Sequence, residues 1–346
     1  MHNTAQQTAL LSNIQMLRAV AAILVLLHHA LAHYIVMGGD IIWIKKISEW
    51  GFLGVDIFFI ISGYIMAYTT FNKPRTFQQA KRFLKHRLFR IYLGYWPFLF
   101  LMALILYKKD PQHLFALDWI GSFFLTQTDM FKLILPVSWS LSYELYFYFL
   151  FAATLFIPVK KLYSIIPVIF LGLLVITLYF FNHPTLHSSF FYSPFLLEFF
   201  AGVLLYMYRG ILIRLWVLPV AFFIAVYAYQ YGILHETKNG WMRIATFGAG
   251  AAMVVLSALI LEHQSLYKAG RIPVAIGDAS YTLYLSHLII LELFYYSGLR
   301  SFFTSQIHSW LPLVGLFVII LLCIIFSLLY YKHIEKPLYT KAIRFS

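Results

Sequence analysis

The chain has 346 residues, of which 62% are hydrophobic and 11% charged, with 26 Lys and Arg against 13 Asp and Glu. No water-soluble globular domain of this length covers so much apolar surface with polar groups, so the composition excludes one and points to a polytopic membrane protein. The formal charge of +13 does not indicate nucleic acid, because the basic residues do not interleave with a solvated aromatic surface and a membrane chain concentrates such an excess in its cytoplasmic loops. A single cysteine, Cys323, lies in an apolar stretch, which excludes an intramolecular disulfide, a cysteine metal cluster and a redox motif; no metal is expected.

The polar N-terminus, MHNTAQQTALLSN, lacks the cationic region of a secretory signal, and the apolar run after it is too long for a signal-peptide core, so that run reads as a retained first span. At about 20 apolar residues per crossing, the chain reads as roughly ten spans, centred near 16–36, 51–70, 91–107, 133–157, 163–181, 193–208, 215–231, 241–261, 279–298 and 311–331. The fourth is the least regular, and the short apolar DWIGSFFLTQ before it reads as interfacial or re-entrant. Sorting Lys and Arg by alternate loops gives about 17 on the N-terminal side and about 8 on the other, which places both termini in the cytoplasm. The expected architecture is an all-α polytopic transmembrane helical bundle, one integral-membrane domain over 1–346 with no appended soluble domain and no short-period repeat.

The first span, RAVAAILVLLHH, sets Arg18 and His29 on one helical face roughly 16 Å apart along the axis, with His28 on another face. Arg18 alone is explained by snorkelling to the interface. His29 is an intramembrane ionisable group, and so either a functional residue or a histidine hydrogen-bonded between helices. Glu144 in VSWSLSYELYFYF falls at a similar depth among aromatic residues, where a carboxylate must be protonated, paired or facing a wet cavity. A histidine is its natural partner, because a carboxylate fixes an imidazole's tautomer and stabilises the imidazolium.

In the second span, GFLGVDIFFIISGYIMAY, Gly51, Gly54 and Gly63 permit close backbone approach, while Asp56 and Ser62 bring polar groups into an apolar helix. The following segment, AKRFLKHRLFRIYLGYWP, concentrates Lys81, Arg82, Lys85, Arg87 and Arg90 at the cytoplasmic surface. That cluster is a topology signal attracted to anionic headgroups, or a socket for a phosphorylated ligand, with Arg87 and Arg90 at i, i+3 on one face. The ninth span, DASYTLYLSHLIILEL, holds Asp278, Ser280, Tyr281, Ser286, His287 and Glu292, enough polar groups for an interior surface. In HIEKPLY, Glu335 and Pro337 read as a helix terminator near the headgroups.

Together these blocks resemble the acyltransferase-3 family of bacterial integral-membrane acyltransferases: Arg18 with His29 after ten residues, GFLGVDIFFIISGY, RLFRIY with Arg87 and Arg90, WSLSYE ending in Glu144, SYTLYLSH and the terminal IEKP, in family order over nearly the whole chain. Tyr64 stands where the family's SGF-like block often has phenylalanine, a departure that touches packing. The resemblance implies transfer of an acyl group, most often acetyl, from cytosolic acyl-CoA to a hydroxyl of a surface glycan, exopolysaccharide or lipid-linked sugar, in the bacterial inner membrane. It implies His29 and Glu144 as essential to chemistry and Arg18, Arg87 and Arg90 as donor-binding; the polar groups within the second and ninth spans make Asp56, Ser62, Tyr281 and His287 candidate lining of a substrate cavity. Whether His29 deprotonates the acceptor or first carries the acyl group stays open at this level. A proton-coupled transporter or flippase using His29, Glu144 and His287 as its relay is the competing reading. A non-catalytic scaffold leaves the two mid-depth ionisable residues unexplained.

Overall fold

The computed structural model describes residues 11–182, 193–237, 240–304 and 310–344, and every regular element among them is helical. Residues 1–10 and 345–346, and with them the extreme termini that the loop charges assign to the cytoplasm, lie outside the described residues. The main helices are α1 (Ser12–Val36), α2 (Gly54–Thr70), α3 (Phe77–Lys109), α4 (Trp139–Thr154), α5 (Val159–Asn182), α6 (Phe195–Met207), α7 (Val217–Leu234), α8 (Ala249–His263), α9 (Arg271–Asp278), α10 (Ser280–Tyr296), α11 (Leu311–Tyr330) and α12 (Lys336–Arg344).

A helix stands at each of the expected span positions, but fewer are long enough to cross. Among the described residues seven helical stretches have the length and apolar character of a span, and an eighth is the pair α9 and α10, bent by 69°. Helix α4 has 16 residues and α6 has 13, both short of the about 20 that a crossing takes. The fourth span starts later than its hydropathy suggests because Pro136–Ser138 forms a 3-10 turn before α4. The short DWIGSFFLTQ segment contains a six-residue helix, Trp119–Phe124, capped by Asp118, which accepts the Gly121 N–H at 2.7 Å. Side chains of α3 satisfy its carbonyl end: Tyr95 donates to Ser122, Trp96 to Phe123 and Tyr92 to Phe124.

The helices form two compact units. One comprises the described residues of Met1–Leu17, Asp56–Arg87 and Tyr143–Arg271; the other comprises those of Arg18–Val55, Leu88–Ser142 and Ile272–Ser346. In the first unit α2 and α6 touch backbone to backbone. A Cβ on Gly63 would collide with the Phe199 carbonyl, and one on Gly202 with the Ile60 carbonyl, so glycine at both positions sets the approach. Phe199 stacks on Phe147 of α4 at 4.3 Å between ring centroids and packs on Phe59 at 4.7 Å. Tyr64 is buried in the same unit beside Tyr68 and Tyr206, a packing position. The first turn of α1 is capped from a distance, as Glu262 accepts from the N–H groups of Ser12 and Asn13.

In the second unit Gly51 and Gly54 lie against the Leu24 and Ala21 carbonyls of α1, the close approach that their spacing suggested. Helix α10 packs along α11, and Cys323 of α11 is a free, buried thiol. Replacing Gly63 with alanine should cost about 1–3 kcal/mol through overpacking. A lowered unfolding temperature of the detergent-solubilised variant, with helix content unchanged, is the expected result.

Candidate active site

Both Arg18 and His29 lie on α1 with unbroken helix between them, so one face carries both at about 16 Å separation. The His29 Nδ1 is 2.9 Å from the Val25 carbonyl oxygen and 3.3 Å from Nε2 of His287 on α10, and the two rings are 4.9 Å apart. His287 is buried, and its own Nδ1 lies 3.2 Å from the Leu283 carbonyl. His28 faces elsewhere, its Nδ1 2.9 Å from the Ser48 carbonyl.

Toward the start of α1, charged side chains of the same unit gather. Arg90 of α3 forms an ion pair with Glu335 at 2.6 Å, and the second oxygen of Glu335 accepts from the Thr282 hydroxyl. The Arg90 guanidinium also lies over the ring of Tyr281, 5.3 Å from its centroid, while the Tyr281 hydroxyl donates to the Ile91 carbonyl at 2.8 Å. Asp278 is within electrostatic reach of Arg18, Lys336 and Arg90. Three cations, Arg18, Arg90 and Lys336, thus share a neighbourhood with the two carboxylates of Asp278 and Glu335.

The tail does not terminate the helix as HIEKPLY suggested. Helix α11 passes through a π turn, Tyr331–Glu335, into α12, and the Lys336 N–H bonds to the carbonyl of Tyr331, five residues back. Wider turns of this kind accommodate a residue without an N–H, here Pro337, and re-aim the side chains beside them. Glu335, only 4% exposed, is thereby an inward partner for Arg90.

In the first unit Glu144 accepts at one oxygen, Oε1, from the hydroxyls of Ser62 (2.9 Å) and Tyr148. The guanidinium of Arg87 lies over the Tyr148 ring, 5.5 Å from its centroid, and over Phe83 at 5.7 Å. Arg87 and Arg90 therefore have different partners, an aromatic face for one and a carboxylate for the other. Among the expected cavity residues, Ser62 joins Glu144, Tyr281 flanks Arg90 and His287 joins His29.

Asp56 is fully buried and takes a two-point bond from Arg243, at 3.1 Å from Nε and 2.7 Å from Nη2. Glu198 of α6, 1% exposed, lies within electrostatic reach of both. Its Oε1 would be 2.7 Å from a Cβ at Gly248, so glycine there makes room for the carboxyl. Sequence reasoning missed Glu198 and Arg243. Each is a charge within an expected span, 193–208 or 241–261, the same signal that singled out His29. Arg243 immediately precedes a second π turn, Ile244–Gly248.

The acyltransferase-3 family model, described as an acyltransferase domain, matches residues 11–332. The chain belongs to the acyltransferase-3 family. It is similar to the exopolysaccharide production protein ExoZ of Rhizobium meliloti, with 29% identity over 261 residues that cover 72% of this chain and 79% of ExoZ. No solved structure matches. With its apolar helices, the membership makes this a multi-pass membrane acyltransferase.

The Asp56–Arg243 pair gives this family member a testable structural element. Arg243→Met should cost about 3–5 kcal/mol by leaving a buried carboxylate unpaired, and Asp56→Asn in the same chain should recover much of the loss. Thermal unfolding of the two single variants and the double variant reads the coupling directly.

Proposed function

We propose that the protein is an O-acyltransferase of the bacterial inner membrane, with both termini cytoplasmic, that moves an acyl group, acetyl in the first instance, from cytosolic acyl-CoA to a hydroxyl of a surface glycan, exopolysaccharide or lipid-linked sugar. The observation that carries this reading is α1, which holds Arg18 in a cation-rich cluster and, about three turns on, His29 in a histidine pair. Such a helix suits a donor with phosphates at one end and a thioester at the other end of a long arm. The name of the similar protein ExoZ, an exopolysaccharide production protein, supports a polysaccharide acceptor.

On the donor side Arg18 and Arg90, which lie in one unit, bind phosphates of CoA, and Arg87 keeps the donor-binding role that the resemblance implies. Glu335 engages Nη1 of Arg90, and the remaining N–H groups of that five-donor fork serve the ligand. His29 accepts the proton of the acceptor hydroxyl as its oxygen bonds to the acyl carbon. The C–S bond then breaks, and the departing thiolate takes the proton from the imidazolium, so the step balances without another reactant. Glu144 keeps the essential role in the chemistry that the resemblance implies, and both hydrogen bonds to it fall on Oε1.

Purified protein in lipid nanodiscs, given acetyl-CoA and the host polysaccharide, should release free CoA thiol only when the polysaccharide is present and should leave the label on it. Substrate movement across the membrane with no thiol release would replace this reading by the transporter one. His29→Ala should abolish transfer while the protein still inserts and binds acyl-CoA, and His28→Ala should retain activity. Arg87→Ala and Arg90→Ala should raise KM for acyl-CoA by about tenfold or more, and lysine should restore only part of it, since an ammonium keeps the charge and loses the planar fork.

A further inference from the structure

We infer that His287 is the positioning residue of His29: its Nε2 lone pair accepts the His29 Nδ1–H and so commits His29 to react through Nε2. The inference rests on the proposed acyl transfer through His29 and adds the group that sets its tautomer.

The assignment follows from which atoms can only accept. The Nδ1 of His29 faces the Val25 carbonyl at 2.9 Å, and the Nδ1 of His287 faces the Leu283 carbonyl at 3.2 Å. A carbonyl oxygen has no proton to give, so each Nδ1 carries the hydrogen, and each neutral ring then has its lone pair on Nε2. The contact between the rings joins His29 Nδ1 to His287 Nε2 at 3.3 Å. With those tautomers it is a donor meeting an acceptor, and the His29 hydrogen is shared between Val25 and His287. The reverse assignment would set the lone pairs of both Nδ1 atoms against carbonyl oxygens.

The consequence is chemical. His29 is left with one free ring nitrogen, Nε2, carrying a lone pair. When that atom takes a proton, the positive charge extends to Nδ1–H, where two acceptors already wait. His287 cannot itself be the base, because its Nε2 is engaged, its Nδ1 is bonded to its own helix and the residue is 1% exposed. A neutral imidazole also suits this buried place better than a carboxylate, which would carry a standing charge with its desolvation penalty. The orienting role that the sequence offered to Glu144 is thus filled on α10, while Glu144 receives the hydroxyls of Ser62 and Tyr148.

Two variants and one spectroscopic measurement test this. His287→Gln can present its amide oxygen where Nε2 stood, whereas His287→Leu presents nothing. The expected result is a kcat within about fivefold of wild type for Gln and about 10²-fold lower for Leu, with KM for acyl-CoA unchanged in both. Nitrogen NMR of histidine-labelled protein, with signals assigned through the His29→Gln and His287→Gln variants, should show both rings protonated at Nδ1 and bare at Nε2. A Leu variant as fast as wild type, a folded Gln variant as slow as Leu, or a His29 ring protonated at Nε2 would each overturn the inference. If wild-type protein transfers no acyl group to any hydroxyl, the acyltransfer reading of His29 fails, and the NMR tautomers still decide the hydrogen bond to His287.

Discussion

A charge buried in a bundle of apolar helices must meet its counter-charge, and much of the polar architecture of this protein follows from that requirement. In one unit Arg90 meets Glu335, and in the other Arg243 meets Asp56. The two pairs share a structural device: Glu335 closes one π turn, and Arg243 stands immediately before another. One extra residue in a turn shifts the phase of everything after it by about 100°. Each turn changes how the side chains on its two sides are aimed relative to one another, at the cost of local hydrogen-bond regularity.

Pairing also sorts the cations. The basic residues around α3 share a topology signal, but the structure gives them distinct surroundings. Arg90 is held by a carboxylate and flanked by Tyr281, while Arg87 rests on aromatic faces. A guanidinium stacked on aromatic rings is held by its face, whereas one tied to a carboxylate is held by its N–H edge.

Several buried polar groups are instead committed to uncharged partners. The three histidine contacts of α1 and α10 with backbone carbonyls fix ring orientation without a charged group, and Glu144 is fixed by two hydroxyls. Orientation obtained in this way costs little desolvation, and these bonds do not use Nε2 of His29 or Oε2 of Glu144.

Much of this was legible in the sequence. Hydropathy located ten of the twelve main helices, missing α9 and α12, and the rarity of ionisable groups in apolar runs singled out Arg18, His29, Glu144, Asp56 and His287, because lipid penalises such groups strongly enough that each one is informative. The small residues at 51, 54 and 63 signalled close packing, which their contacts bear out. The sequence could not say who partners whom. His29 and His287 are 258 positions apart, Arg90 and Glu335 are 245, and both adjacencies depend on how separate helices are rotated about their axes. Glu335 looked like part of a helix stop, since regular helical periodicity gives no hint of a π turn. A one-dimensional pattern fixes the depth of a residue along a span; its azimuth, and with it every interhelical bond, is set only when the helices pack.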